Sequence, residues 1–291
     1  YIFNTPVLPI WWHPPKAVVI ALDFAYLHPH TQKGAGVNGP IHSLLQRLRL
    51  FLLKSRHRSA LRRADKVIAI SKETRRDAIK FFRIPGSKIE TVHLGFNRIC
   101  SLPEEPTDAP EKFFLFVGAL KERKNIANII QAFSAFHRRH SGYHLLLVGK
   151  GEGEYAAGLR RAVQKQGLGD AVHFWGYRRE GELSYLYRRA EALIYPSIIE
   201  GFGFPILEAM DCGTPVITSA VSSLPEVAGD AALLVDPYRP EEIARAMERI
   251  AVDREFRGEL IEKGTAWKEN FSWDQAGKEV IRCMQETILR R

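Results

Sequence analysis

From residue 113 to residue 250 the chain repeats one pattern, a short and nearly unbroken apolar run followed by a stretch of helical periodicity. The apolar runs are FFLFVGA, YHLLLVG, AVHFWG, EALIYPS, PVITS and AALLVD. Between them lie NIANIIQAFSAFHRRH, YAAGLRRAVQKQG, ELSYLYRRA, PILEAMDCG and PEEIARAMERI. A strand that is apolar on both faces must be covered on both, and intervening helices supply that cover in a parallel sheet. The pattern therefore predicts a doubly wound α/β domain. Less regular alternation fills the first third, with KAVVIAL (16–22), KVIAIS (66–71) leading into KETRRDAIKFF, and KIETVHLGF (88–96). The reading is two Rossmann-like domains: 1–100, then a linker at 101–112 in the proline- and acid-rich CSLPEEPTDAPEK, then 113–267, with a helix over 268–291 returning toward the first domain. A chain of 291 residues, 45% of them hydrophobic, can bury cores of that size.

Composition narrows the class further. No apolar run approaches the roughly 18 to 20 residues of a spanning helix. Cys100, Cys212 and Cys283 are odd in number and widely spaced, with no CxxC, so neither a disulfide framework nor a thiolate metal site is expected, and the cytoplasm is the default compartment. The net charge of +9 is uneven: residues 1–100 carry +12 and residues 101–291 carry −3. Much of the basicity lies in QRLRLFLLKSRHRSALRRADK, residues 46–66, with Leu44, Leu48, Phe51, Leu52 and Leu61 as apolar positions. That stretch reads either as a core-packed helix with a cationic outer face or as a surface that docks peripherally on the inner face of a membrane or on an anionic acceptor. The five Trp are scattered without basic interleaving, which argues against nucleic acid.

In such sheets ligands bind where strands end and helices begin. The turn GALKERKN starts at Gly118 and sets Arg123 and Lys124 just before a helix. Two cations there oppose the helix dipole, and a bound diphosphate would relieve the conflict; a solvated loop neutralised by Glu122 is the alternative. The turn GKGEGE (149–154) has Glu154 where a dinucleotide fingerprint needs its third glycine, so a nicotinamide site is not expected, though close backbone approach to a ligand stays open. The turn EGFGFPILEAM (200–210) is the most informative. Gly201 and Gly203 permit unusual backbone and close approach, Pro205 suits the first helical position, and the free amides there face anions. Glu200 and Glu208 accept hydrogen bonds without donating any, which suits a ligand bearing hydroxyls at two points, such as a ribose and a hexose. Two alternatives stand beside that reading: an acid/base pair of a glycosidase, and a helix start stabilised by its own glutamate. Ser71 reads as an N-cap and not a nucleophile. His28, His30, His137, His140 and His144 read as solvated imidazoles, and no metal is expected.

These motifs, in this order, resemble the retaining glycosyltransferases of family 4, whose GT-B architecture places two Rossmann-like domains across a cleft. The resemblance rests on FVGALKERKN, LLLVGKGEGE, VHFWGY, ELSYLYRRAEALIYPSIIEGFGFPILEAMDCGTPVITS and SSLPEVAGDAALLVDP, and extends more weakly to ADKVIAISKETRRD, IPGSKIETVHLGF and FSWDQAGKEV. It implies transfer of a hexose from a nucleotide-diphosphate sugar to a glycan or lipid-linked acceptor, as in polysaccharide or lipopolysaccharide synthesis, with retention, without metal or other cofactor. It implies that Glu208 binds ribose and Glu200 the transferred sugar, that Phe202 and Gly203 lend backbone contacts, that Arg123 and Lys124 hold the diphosphate, and that Tyr177 lies near the base. Arg123 beside Lys124 is similar to a mannosyltransferase-like subgroup, which favours GDP-mannose, with a UDP-sugar as the alternative donor. The chain departs from the pattern at Leu22-Asp23, where many relatives have His-Asp, and at Ala119, where an arginine is common. The family's first strands and glycine-rich loop are also absent, so the first domain is expected to be incomplete. A non-catalytic or partner-dependent nucleotide-sugar-binding chain is therefore a further alternative.

Overall fold

A computed structural model describes residues 2–3, 15–28 and 40–289. The chain divides into two compact units, residues 1–95 with 271–291, and residues 96–270.

The first unit holds four parallel strands in the order β1 (Ile2–Phe3), β2 (Val18–Ala21), β3 (Lys66–Ala69) and β4 (Ile89–Thr91). Alternate residues of β2 and β3 enter opposite cores, as the two-residue repeat of a strand requires. Val19 and Val67 pack with Ala60, Leu61, Ala78 and Phe82 from α1 (Pro40–Arg63) and α2 (Lys72–Phe82). Val18 and Ile68 pack with Ala276 and Cys283 from α10 (Trp273–Leu289) on the other face. Ser71 caps α2, its hydroxyl accepting from the Thr74 amide at 3.0 Å. His30 and the side chains of Leu44 and Gln46 lie outside the described residues. The outer half of α1 corrects part of the sequence reading: Leu61 is buried, but Leu48, Phe51 and Leu52 are 52%, 67% and 53% exposed, so they do not serve the core.

The second unit is a six-stranded parallel sheet. Its strands are β5 (Phe113–Val117), β6 (His144–Val148), β7 (Val172–Gly176), β8 (Ala192–Tyr195), β9 (Val216–Ser219) and β10 (Leu233–Val235). They lie in the order β10-β9-β8-β5-β6-β7. Winding proceeds outward from β5 through β6 to β7, then returns to β8 and proceeds outward through β9 to β10. The reversal sits between β5 and β8, and such a switch point is where open α/β sheets bind ligands. The connecting helices are α3 (Ile126–His137), α4 (Gly153–Lys165), α5 (Glu180–Arg189), α6 (Phe204–Asp211), α7 (Leu224–Ala228), α8 (Pro240–Val252) and α9 (Arg254–Trp267).

Two expectations change here. The stretch 101–112, read as a linker, belongs to the second unit, whose boundaries fall after Gly95 and after Asn270. Ion pairs fasten it: Glu104 meets Arg188 at 3.2 Å and Arg189 at 2.6 Å, and Glu105 meets Arg179 at 2.6 Å. Cys100 and Cys212, read as unpaired, form a disulfide that ties this stretch to the end of α6. Only the fold brings together two thiols separated by 112 residues, so their spacing gave no hint. Cys283 is free and buried.

Candidate functional site

Arg123 and Lys124 occupy a 3-10 turn (Glu122–Lys124) between β5 and α3. Glu200 follows β8 across the switch point, so adjacent strands deliver the cationic turn and the acid to one place. Arg123 Nη1 donates to Glu200 Oε2 at 2.6 Å, and Lys124 Nζ lies 2.6 Å from Glu200 Oε1. The anion that two cations at a helix start demand is, in this structure, the chain's own carboxylate. Arg123 also ties the loop itself, with Nη1 donating to Ile199 O at 3.0 Å and its carbonyl accepting from the Ile198 amide at 2.8 Å.

Tyr195, the last residue of β8, completes the cluster. Its hydroxyl donates to Glu200 Oε1 at 3.1 Å and accepts from Lys124 Nζ, and that ammonium also lies 4.7 Å from the centre of the Tyr195 ring. Glu200 is 8% exposed. Burial alone would raise its pKa, but Lys124 and Arg123 override burial and hold the carboxyl below its ordinary value. Lys124 is lowered, chiefly by burial and against the pull of Glu200. Burial, then the Glu200 charge, lifts the Tyr195 phenol well above its usual range, so it stays a proton donor.

Glu208 sits one turn into α6. Its Oε2 accepts from the hydroxyl of fully buried Tyr187 on α5 at 2.8 Å. Burial raises its pKa, the Tyr187 hydrogen bond opposes the rise, and Glu180 adds to it. The two glutamates thus differ electrically, Glu200 held ionised by cations and Glu208 reluctant to ionise.

Between them, Gly203 stands at the N-cap of α6 with φ 124°, where a Cβ would come 2.8 Å from a Leu224 methyl. Phe204 opens that helix and Pro205, read as its first residue, is its second, still within the turn whose amides need no helical partner. Phe202 is buried, its ring edge-on to Phe204 with centroids 5.4 Å apart, and Gly201 is half-buried beside it. Gly118, at φ 148°, follows β5 and receives the loop after β6: a Cβ on Gly149 would sit 2.0 Å from the Gly118 carbonyl oxygen. The close approach left open at GKGEGE is thus accounted for by a neighbouring loop. Tyr177 follows β7 exposed, with Lys150 Nζ 5.8 Å from its ring centre.

Tyr195 and Tyr187 are the residues that sequence reasoning missed. The only signal was position: Tyr195 closes a strand directly before the acid loop. The histidines, read as solvated, are instead partnered. His28 bonds Asp77 at 2.8 Å, His137 the Tyr143 carbonyl at 3.1 Å, His140 Glu248 at 2.7 Å, and His144 His173 at 3.1 Å. Among the described residues no group of three or more His, Cys, Asp or Glu could hold a metal ion.

Known proteins resemble this chain over most of its length. The family model for glycosyl transferases group 1 matches residues 101–267, more than half of the chain, and that for glycosyltransferase family 4 matches residues 14–98. An O-antigen chain mannosyltransferase B of Escherichia coli is 32% identical over 246 residues, covering 80% of this chain and 63% of its own length. The chain therefore spans less than two thirds of that relative. Among solved structures, a sucrose-phosphate synthase from Thermosynechococcus elongatus superposes with TM-score 0.74 at 25% identity, covering 95% of this chain and 69% of that one. Alr3699/HepE of Anabaena, in complex with UDP and glucose, gives TM-score 0.74 at 19% identity over 93% of this chain and 72% of that one. The second likeness is one of fold: two parallel-sheet α/β domains of GT-B type.

Proposed function

The chain belongs to the glycosyl transferases group 1 family, and on that premise we propose that it transfers a hexose, mannose foremost, from a nucleoside-diphosphate sugar to a glycan or lipid-linked acceptor with retention. The observation that carries the reading is the buried Glu200 carboxylate between Arg123 and Lys124 at the switch point. The likeness to a mannosyltransferase supports GDP-mannose as first donor, and the UDP-bound neighbour supports nucleotide sugars as a class.

In this reading Glu208 accepts hydrogen bonds from the ribose hydroxyls and Glu200 from the transferred sugar. Arg123, Lys124 and the amides that open α6 face the diphosphate, whose charge grows as its bond to the anomeric carbon breaks. The acceptor oxygen bonds to that carbon on the same face, and its proton passes to the departing phosphate oxygen, leaving a nucleoside diphosphate. Cationic side chains and helix amides then do the electrostatic work of a metal, so none is required. Glu200 suits a binding role better than a glycosidase nucleophile because three donors already engage its two oxygens.

Calorimetry with GDP-mannose and with UDP-glucose tests the reading. Heat of binding in the wild type and its loss in Glu208→Ala and Arg123→Ala is the expected result; a folded wild type that gives no heat with either donor overturns it. We also propose that the exposed Leu48, Phe51 and Leu52, with the cations around them on α1, contact an anionic membrane surface peripherally.

A further inference from the structure

Between β8 and α6 the backbone pairs with no strand, yet this segment carries Glu200. A buried irregular loop must find partners for its carbonyls elsewhere. They come one after another from side chains. Thr218 Oγ1 donates to Tyr195 O at 2.9 Å, Asn125 Nδ2 to Pro196 O at 3.0 Å, and Ser219 Oγ to Ser197 O. Ser222 Oγ donates to Glu200 O at 2.9 Å and accepts from the Glu200 amide at 3.0 Å. Ser223 Oγ lies 2.9 Å from both Glu200 O and Phe202 O. Four hydroxyls of TSAVSS, residues 218–223, thus follow the loop from Tyr195 to Phe202.

Two details set the last pair apart. Ser222 holds φ 63°, a left-handed conformation that a serine adopts uncommonly and that tends to persist where function requires it. Ser223 stands at the N-cap of α7, where a serine hydroxyl normally accepts from the first helical amides. It makes no such bond and reaches for the glutamate loop.

We propose that Ser222 and Ser223 are positioning residues for the donor reaction: their hydroxyls fix the backbone of Glu200 through Phe202 and so fix where the Glu200 carboxylate meets the transferred sugar. The proposal rests on reading this site as a nucleotide-sugar site. Gly201 and Gly203 give the loop a freedom that side chains would deny, and the clamp removes it. Misplacing a binding group by about 1 Å can cost about a hundredfold in rate, so the clamp matters to chemistry more than to stability.

Ser222→Gly keeps the left-handed backbone without steric cost, and Ser223→Ala removes one oxygen. Each is compared with the wild-type full chain by calorimetry with GDP-mannose against GDP, with UDP-glucose and UDP in parallel, and by amide hydrogen exchange. The expected result is a loss of sugar-nucleotide affinity of about tenfold, one lost hydrogen bond's worth. Affinity for the nucleoside diphosphate stays within about twofold, and exchange of the Glu200 amide accelerates in Ser222→Gly. Equal loss for both ligands, or no loss for either, overturns the positioning role, as does unchanged exchange at Glu200. A wild type that binds no nucleotide sugar overturns the transferase reading instead, while faster Glu200 exchange in Ser222→Gly would still establish the clamp.

Discussion

Glu200 is a buried anion whose partners are buried or half-buried cations, and removing one member of such a set leaves the others uncompensated. Glu200→Gln is therefore expected to destabilise the protein by about 3 kcal/mol, read from urea unfolding, in addition to weakening sugar binding. Its folded pKa is depressed, so its contribution is fully present above the unfolded-state carboxyl value of about 4.3 and is lost as pH falls through the depressed folded value. Acid unfolding of the wild type should accordingly be steeper than that of Glu200→Gln. Glu208 behaves in the opposite sense. Its raised pKa means that it becomes protonated at a higher pH than an ordinary glutamate, so if it accepts the ribose hydroxyls as proposed, donor affinity should fall early on the acid side. Tyr187→Phe removes the hydrogen bond that opposes the rise, and should move that acid limb to still higher pH without abolishing binding at pH 8. An acid limb that stays in place would mean that Glu208 does not set it.

At the scale of elements, the sequence displayed strands and helices but not their order. Continuous apolar runs mark buried parallel strands, yet nothing in FFLFVGA or EALIYPS says that β5 and β8 are neighbours; that adjacency brings Lys124 and Glu200 within 2.6 Å. The types of the site residues were legible because charges at strand ends are conspicuous. Tyr195, Tyr187, Ser222 and Ser223 were not, because an apolar run hides a tyrosine and a Ser-Ser pair reads as loop. The disulfide was invisible for the same reason as the strand order. Reducing it should lower stability by about 2–4 kcal/mol and raise the urea m-value, since the bond closes a loop of 112 residues that passes through the sheet and its opening lets the unfolded chain expand. The glycine contacts between loops allow an independent check of the strand-end geometry. Gly149→Ala sets a methyl 2.0 Å from the Gly118 carbonyl at a φ of 140°, and should destabilise by about 3 kcal/mol or prevent folding, whereas Gly153→Ala meets no atom within 4 Å and incurs only the strain of its φ of 77°. Equal losses at the two positions would contradict the close approach of the β5 and β6 loops.

For the whole molecule, charge is the property that the two-domain division does not explain. The first hundred residues carry +12 and the rest −3, a separation that folding alone does not need. Helix α1 has seven Lys or Arg and no Asp or Glu over Pro40–Arg63, and among its described side chains it leaves three large apolar ones in water that the buried Leu61 shows it could have used for packing. Among the described residues no helix is long and apolar enough to cross a membrane, so lipid contact through α1 would be superficial. Each cation near an anionic surface contributes about 1 kcal/mol at low salt, and that contribution fades within a Debye length of about 8 Å at 0.15 M salt, whereas apolar insertion does not depend on salt. The two components can therefore be separated in flotation with vesicles of phosphatidylglycerol mixed into phosphatidylcholine. The protein should float with the anionic vesicles at 0.05 M salt and largely dissociate at 0.5 M. Triple replacement of Leu48, Phe51 and Leu52 by serine should remove the residue of binding that survives high salt while leaving the low-salt attraction partly intact. Binding to pure phosphatidylcholine as strong as to the anionic mixture would exclude a role for the charge asymmetry, and no flotation with either would assign the cations of α1 to some other anion.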